Sequence, residues 1–176
     1  MTKRISLALD GLSRERALDL VRMLWKRLRA VKLHDLLDAY GPSVVRDLVD
    51  LGGEVVVWVD YKLHDTKDTV ALRVRALIKN GAKIITVHAS GGVPMMRAAV
   101  EATIMDGEQK AEIYAITVLT SLDEKEIERI YGKDRTREQI VHELALMAHE
   151  AGVRRVVCSP QEVKMLKNSP KLPGMR

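Results

Sequence analysis

Asp60, Lys62, His64, Asp65, Lys67 and Asp68 crowd into nine positions, directly after an apolar run, in V-W-V-D-Y-K-L-H-D-T-K-D-T-V, Val57 to Val70. Asp60 and Lys62 are two positions apart, so a strand extending that far places both side chains on one face. Asp65 then falls on the following loop or first helical turn. An ammonium between two carboxylates is held in place and kept charged. Once positioned and desolvated, it can act as a general acid that delivers a proton to a carbanion-like centre. An aspartate beside a substrate carboxylate does something else: it sets like charges together and favours loss of that carboxylate as carbon dioxide. The same residues also fit a solvated loop carrying surface ion pairs. Ionic groups at the C-terminal end of a barrel strand favour the chemical reading.

The elements that must position these groups alternate along the chain. Ile5-Ser6-Leu7-Ala8-Leu9 reads as a first strand ending at Asp10, and Ser13 as the cap of a helix with Ala17, Val21, Leu24, Trp25 and Leu28 on one face. The basic stretch Arg22 to Lys32 is read as the solvated face of that helix. Ala30-Val31-Lys32-Leu33 is a second strand. Pro42-Ser43 opens a helix through Val44, Val45, Leu48 and Val49 that Gly52-Gly53 closes. Glu54 to Val59 is the clearest strand, followed by a helical pattern up to Asn80-Gly81. Lys83 to His88 is a fourth strand, leading into the turn Ala89-Ser90-Gly91-Gly92 and a helix through Met96, Ala99 and Val100. Ile113 to Leu119 is a fifth strand. Ser121-Leu122-Asp123-Glu124 and Thr136-Arg137-Glu138-Gln139 match the capping box. Val153 to Val157 is a sixth strand, and Lys171 to Arg176 a seventh that breaks into a loop.

Strict alternation implies right-handed β-α-β units and a parallel sheet. Asp10, Lys32, Asp60, Lys62, His88, Thr120, Ser159 and Arg176 fall at or just after strand ends, which converge on one face in a β/α-barrel. An open doubly wound sheet would favour a glycine-rich phosphate loop. Neither a G-x-G-x-x-G nor a P-loop pattern occurs, so a TIM-type (β/α) barrel in one domain over residues 1–176 is expected.

Composition narrows the functions. The chain has 176 residues, 47% hydrophobic and 30% charged, the balance of a globular domain. Phenylalanine is absent and aromatics make up 3%, so the core is built from Leu, Ile, Val, Ala and Met, and base-stacking platforms are not expected. Met95, Met96 and Met105 are read as core filling. The net charge of +5 fits an anionic ligand, but the basic residues are scattered rather than gathered into a nucleic-acid footprint. No segment reaches membrane-span length, and the N-terminal apolar run is too short for a signal peptide. The single cysteine, Cys158, is read as packing in a buried strand, and a cytoplasmic location follows from cysteine usage. No His and carboxylate spacing suggests zinc.

Asp60-Tyr61-Lys62-Leu63-His64-Asp65, preceded by V-V-V-W-V, resembles the D-x-K-x-x-D signature of the orotidine 5′-monophosphate decarboxylase family. Leu7-Ala8-Leu9-Asp10, Val31-Lys32, Gly41-Pro42, Val87-His88-Ala89-Ser90-Gly91-Gly92, Thr117-Val118-Leu119-Thr120-Ser121, Val156 to Glu162 and Pro173-Gly174-Met175-Arg176 resemble further family segments in the family's order. The resemblance implies cofactor-free and metal-free decarboxylation of orotidylate to uridylate, in pyrimidine biosynthesis, by a homodimeric β/α-barrel. It makes Lys62 the proton donor and sets Asp60 beside the departing carboxylate, with Lys32 and Asp65 completing the charged network. Asp65 and Thr69 would reach into the partner subunit's site. Asp10 would bind ribose hydroxyls, Thr120 the pyrimidine and Arg176 the ribose-phosphate end. His88 would support the barrel rim. His64, on the strand face opposite Lys62, would serve the site indirectly or the interface.

Three positions depart from the family pattern. His34 stands where the family has a glycine two positions after the lysine. Thr66-Lys67-Asp68-Thr69 replaces I-P-N-T, which loosens the loop and adds charge beside Asp65. The sequence stops at Arg176, before the expected eighth β/α unit and its phosphate-clamping arginine, so weak or absent turnover is expected. Two alternatives remain open from the residues. One is a related sugar-phosphate decarboxylase or aldolase-type barrel using magnesium, for which Glu54, at the start of its strand, is poorly placed as a metal ligand. The other is an inactive barrel that binds nucleotide or only dimerises.

Overall fold

The computed structural model describes residues 5–52 and 55–176. Gly53 and Glu54, where a helix end and a strand start are expected, lie outside the described residues. The chain divides into two compact units. One comprises Met1–Tyr61, Ala71–Ile85 and Ala102–Glu112, the other Lys62–Val70, Thr86–Glu101 and Ile113–Arg176.

The first unit opens with β1 (Ile5–Ala8), α1 (Arg14–Leu24) and β2 (Leu28–Leu33). Ser13 caps α1 by accepting the Arg16 amide on its hydroxyl, and Ala17 and Val21 are buried. The helix stops earlier than its apolar spacing suggests. The Arg27 amide bonds to the Leu24 carbonyl and the Leu28 amide to that of Trp25, a tightening that ends the α-ladder. Leu28 therefore begins β2, and of the basic stretch expected on a helix face, Arg29 and Lys32 lie in a strand. Parallel pairing of β2 with both β1 and β3 (Val56–Leu63) overrides the local helical pattern.

Between them lie α2 (Asp35–Tyr40), which the sequence reading lacked, and α3 (Ser43–Asp50), which follows Pro42 as expected. Leu36 and Leu37 bury α2, and Val44, Val45 and Leu48 bury α3. The rest of this unit is most of α4 (Lys67–Lys79), the start of β4 (Ile84–His88), and an antiparallel hairpin of β5 (Ile104–Met105) and β6 (Glu108–Gln109). Asp106 and Gly107 turn the hairpin with φ of 53° and 75°, the Asp-Gly geometry of a tight hairpin, which the sequence reading passed over. Met105, expected in the core, is half-buried in this hairpin.

The second unit contains one 3₁₀ turn (Ala89–Gly91), α5 (Gly92–Glu101), β7 (Glu112–Ile116, from Ile113 onward), α6 (Glu124–Tyr131), α7 (Arg137–Glu150), β8 (Arg155–Val157) and α8 (Val163–Asn168). Met95 and Met96 are buried, as a Phe-free core requires, with Ile127, Ile140 and Val141. Thr136 and Gln139 form a capping box on α7 as expected. The box on α6 uses Asp123 and Glu126 rather than Ser121 and Glu124, because the helix begins two residues later.

β7 and β8 pair in parallel through Tyr114↔Arg155 and Ile116↔Val157. The fifth strand stops at Ile116 rather than Leu119, where Thr117 turns its amide and hydroxyl onto the Val157 carbonyl. Cys158 lies just past β8, half-buried rather than inside a strand. The expected seventh strand over Lys171–Arg176 is instead a series of turns. Arg176 alone pairs with β8: its amide bonds to the Arg154 carbonyl and its carbonyl accepts from Val156. The main strand order is β1-β2-β3-β4-β7-β8.

Candidate active site

Strand register builds the first cluster. Lys32 of β2 lies opposite Ala8 of β1 on one side and Trp58 of β3 on the other. Two residues beyond these partners stand Asp10, in the turn after β1, and Asp60, on the same pleat face of β3 and about 6.6 Å ahead at the usual strand rise. The flexible four-carbon stem of Lys32 spans that offset. Its ammonium donates to Asp10 Oδ2 at 3.1 Å and to Asp60 Oδ2 at 3.2 Å. The Asp60 side chain is 9% exposed, that of Lys32 23% and that of Asp10 45%. Burial lowers the Lys32 pKa, but the hydrogen bonds to Asp10 and Asp60 together outweigh it, and the net shift is upward. The lysine is therefore a fixed cation, and Asp60 is held as a buried carboxylate at the end of an apolar strand.

Lys62 follows two residues later. The strand does extend that far, to Leu63, but Lys62 has φ of 49°, in the left-handed region. For a non-glycine residue that conformation costs on the order of 1–3 kcal/mol. Alternation along β3 therefore breaks at the candidate acid, and simple period two does not set its direction. The Lys62 amide is held by the Thr86 hydroxyl at 2.9 Å.

The rest of the second unit's candidates are arranged as follows. Asp65 is exposed, and its Oδ1 accepts the Thr66 amide at 2.7 Å. The Thr66 hydroxyl donates to Thr69 Oγ1 at 3.0 Å, while the Thr66 carbonyl accepts the Val70 amide in the first turn of α4. Thr120 is exposed in the turn closed by the Leu122 amide on the Leu119 carbonyl. Arg176 presents an exposed side chain from its backbone pairing beside β8. The structure thus joins Asp10, Lys32 and Asp60 directly, whereas Asp65 makes no ion pair among the described residues.

His64 lies beyond the end of β3, not on its opposite face, and its ring centroid is 5.5 Å from that of His88 at the end of β4. A Cβ at Gly91 would lie 2.2 Å from the Met95 sulfur and 3.1 Å from His64 Cδ2, so a larger residue there must displace the end of the Met95 side chain. Burial, followed by the charge of Glu162, raises the Cys158 thiol pKa, which weakens it as a nucleophile.

Two supporting residues escaped the sequence reading. Asp35 Oδ2 accepts the Gly11 amide at 2.9 Å, fixing the turn that carries Asp10. Thr86 is fully buried and holds Lys62. Neither belongs to a recognisable motif. A polar residue inside the apolar strand I-I-T-V-H was the available signal for Thr86.

The model of the family described as orotidine 5′-phosphate decarboxylase / HUMPS matches residues 3–176. This chain belongs to that family. An orotidine 5′-phosphate decarboxylase of Pseudoalteromonas translucida is 41% identical over 169 residues, 94% of this chain and 70% of that protein. One from Syntrophomonas wolfei is 39% identical over 171 residues, 94% of this chain and 71% of that protein. Among solved structures, an uncharacterized conserved protein of Geobacillus kaustophilus superposes with a TM-score of 0.83 at 30% identity, covering 96% of this chain and 78% of that one. The orotidine 5′-phosphate decarboxylase of Lactobacillus acidophilus does so with a TM-score of 0.80 at 29% identity, over 95% and 76%. The fold class is that of a TIM-type β/α-barrel in part, with six strands of one sheet alternating with helices among the described residues. No described helix is long and apolar enough to cross a membrane.

Proposed function

We propose that this chain decarboxylates orotidine 5′-monophosphate to uridine 5′-monophosphate in pyrimidine biosynthesis, with Lys62 as the proton donor. The observation that carries the reading is the Lys32 ammonium clamped between Asp10 and Asp60, two residues before Lys62 on β3. It occurs in a chain 41% identical to a relative named for this reaction. In the proposed step the substrate carboxylate lies against Asp60, whose fixed negative charge disfavours the ground state. The bond from the ring carbon to the carboxylate breaks, carbon dioxide leaves, and the electron pair stays on the ring carbon. Lys62 gives a proton to that carbon, and solvent restores the proton to Lys62. No cofactor enters the step.

Asp10 takes the ribose hydroxyls, Thr120 the pyrimidine and Arg176 the ribose-phosphate end. Asp65 and Thr69 act in the site of the partner subunit of a homodimer. The exposure of Asp65, with its carboxylate turned to Thr66 rather than to a lysine, supports this assignment. The protein works in the reducing cytoplasm, consistent with one half-buried cysteine.

The test is spectrophotometric decarboxylation of orotidylate with chelator present, by wild type and Lys62→Ala. Turnover insensitive to the chelator and reduced at least about a hundredfold by Lys62→Ala is expected. Mixed dimers of Lys62→Ala and Asp65→Asn subunits should regain turnover that neither parent has, since one site of each hybrid keeps both groups. Uridylate binding without wild-type turnover would leave a nucleotide-binding protein, and loss of turnover with chelator would point to the magnesium-using branch.

A further inference from the structure

We infer that Thr86 is a positioning residue for Lys62, its hydroxyl setting where the proposed proton donor points. The assignment of Lys62 as that donor rests on the proposed function above; the contact itself does not. Among the described residues, two that are not glycine have positive φ: Asp106 and Lys62. Asp106 is accounted for by its Asp-Gly hairpin turn. Lys62 is not in a turn. It lies inside β3, where an extended conformation was available and where the left-handed one is disfavoured for a side chain with a Cβ. Something other than local sequence must hold it there.

The hydrogen bonding identifies what does. In a regular strand the N–H of an interior residue meets a carbonyl of a neighbouring strand or solvent. The Lys62 amide instead meets the Thr86 hydroxyl oxygen at 2.9 Å. Thr86 is 0% exposed, so water does not compete for that oxygen. A β-branched side chain in a strand has little χ1 freedom, and the acceptor is therefore fixed to within one rotamer. Because φ of 49° replaces the pleat, the Cα–Cβ direction of Lys62 depends on this contact rather than on strand alternation. A buried hydroxyl on the neighbouring strand thereby aims the Lys62 side chain through its backbone amide.

The experiment compares Thr86→Val, which keeps the shape and removes the oxygen, with Thr86→Ser, which keeps the oxygen. Thr86→Ala serves as a second oxygen-free variant if the valine protein does not fold. Steady-state decarboxylation of orotidylate should show kcat at least about tenfold lower in Thr86→Val with KM changed less than about twofold, since misplacement of a reacting group falls on the chemical step. Thr86→Ser should recover most of kcat, as a positioning role of the hydroxyl requires.

Amide hydrogen exchange at Lys62 is followed in the same three proteins. Protection should persist in wild type and serine and fall at least about tenfold in valine. Equal losses in valine and serine, or wild-type kcat together with retained protection in valine, would overturn the assignment. If wild type itself shows no decarboxylation, the proposed function fails, while the exchange measurement still decides whether Thr86 holds Lys62.

Discussion

Replacing Lys32 by Met removes the charge from the Asp10–Lys32–Asp60 cluster and nearly preserves the volume of the stem. The two acceptor oxygens lie 3.1 and 3.2 Å from one nitrogen, so they are at most about 6.3 Å apart. Without the ammonium, two carboxylates at that distance repel by about 2.6 kcal/mol at an effective permittivity near 20. Asp10 is 45% exposed, and solvent screening reduces the figure. Loss of the two charge-assisted bonds acts in the opposite direction. A net destabilisation of about 2 kcal/mol follows, or roughly 4–8 °C in Tm for a chain of this size.

In wild type the Lys32 pKa is raised, so its contribution is complete below the unfolded lysine value of about 10.4 and is lost as pH rises through the higher folded one. In Lys32→Met the repulsion between the ionised carboxylates is uncompensated. The penalty is then present at neutral pH and disappears as they protonate toward about pH 4. Calorimetry at pH 4, 7.5 and 11 should show a Tm gap that is widest at 7.5. A variant as stable as wild type at pH 7.5, or a gap equally wide at pH 4, would refute this electrostatic account.

The start of α6 can be mapped by two alanine substitutions measured by urea unfolding. Asp123→Ala should cost about 1 kcal/mol by removing the acceptor for the Glu126 amide, while Ser121→Ala should change stability by less than about 0.5 kcal/mol. The reverse ranking would restore the capping box read from the sequence. Gly91→Ala should destabilise by about 1–3 kcal/mol, because its Cβ meets the Met95 sulfur, and shortening the methionine in Gly91→Ala/Met95→Val should recover part of the loss. Additive losses in the double variant would place the strain elsewhere.

Local chemistry made much of this protein readable in one dimension. Apolar runs alternating with helical periodicity produce β-α-β order whatever the tertiary details, and caps such as Ser13 and Thr136 announce helices within a few residues. Polar side chains at strand ends, Asp10, Lys32 and Asp60 among them, mark a functional face because apolar strands seldom end on charges without cause. Where tertiary contacts compete with local propensity, the contacts prevail. Leu28 suits the face of α1, yet two neighbouring strands draw it into β2. Ser121 matches a cap, yet α6 begins two residues later.

The alternation of the main strands and helices, the family and the residue types at the site were legible along the chain, whereas α2, the β5–β6 hairpin and the turns of Lys171–Arg176 were not. Tertiary structure decided the geometry of the site. Lys32 meets Asp10 and Asp60 across 22 and 28 residues of chain because strand register aligns Ala8, Lys32 and Trp58. Lys62 departs from the pleat because its amide finds a hydroxyl on another strand. Both outcomes depend on which strands become neighbours, and at what offset. That is a property of the packed sheet, with no counterpart in the spacing of residues along the chain.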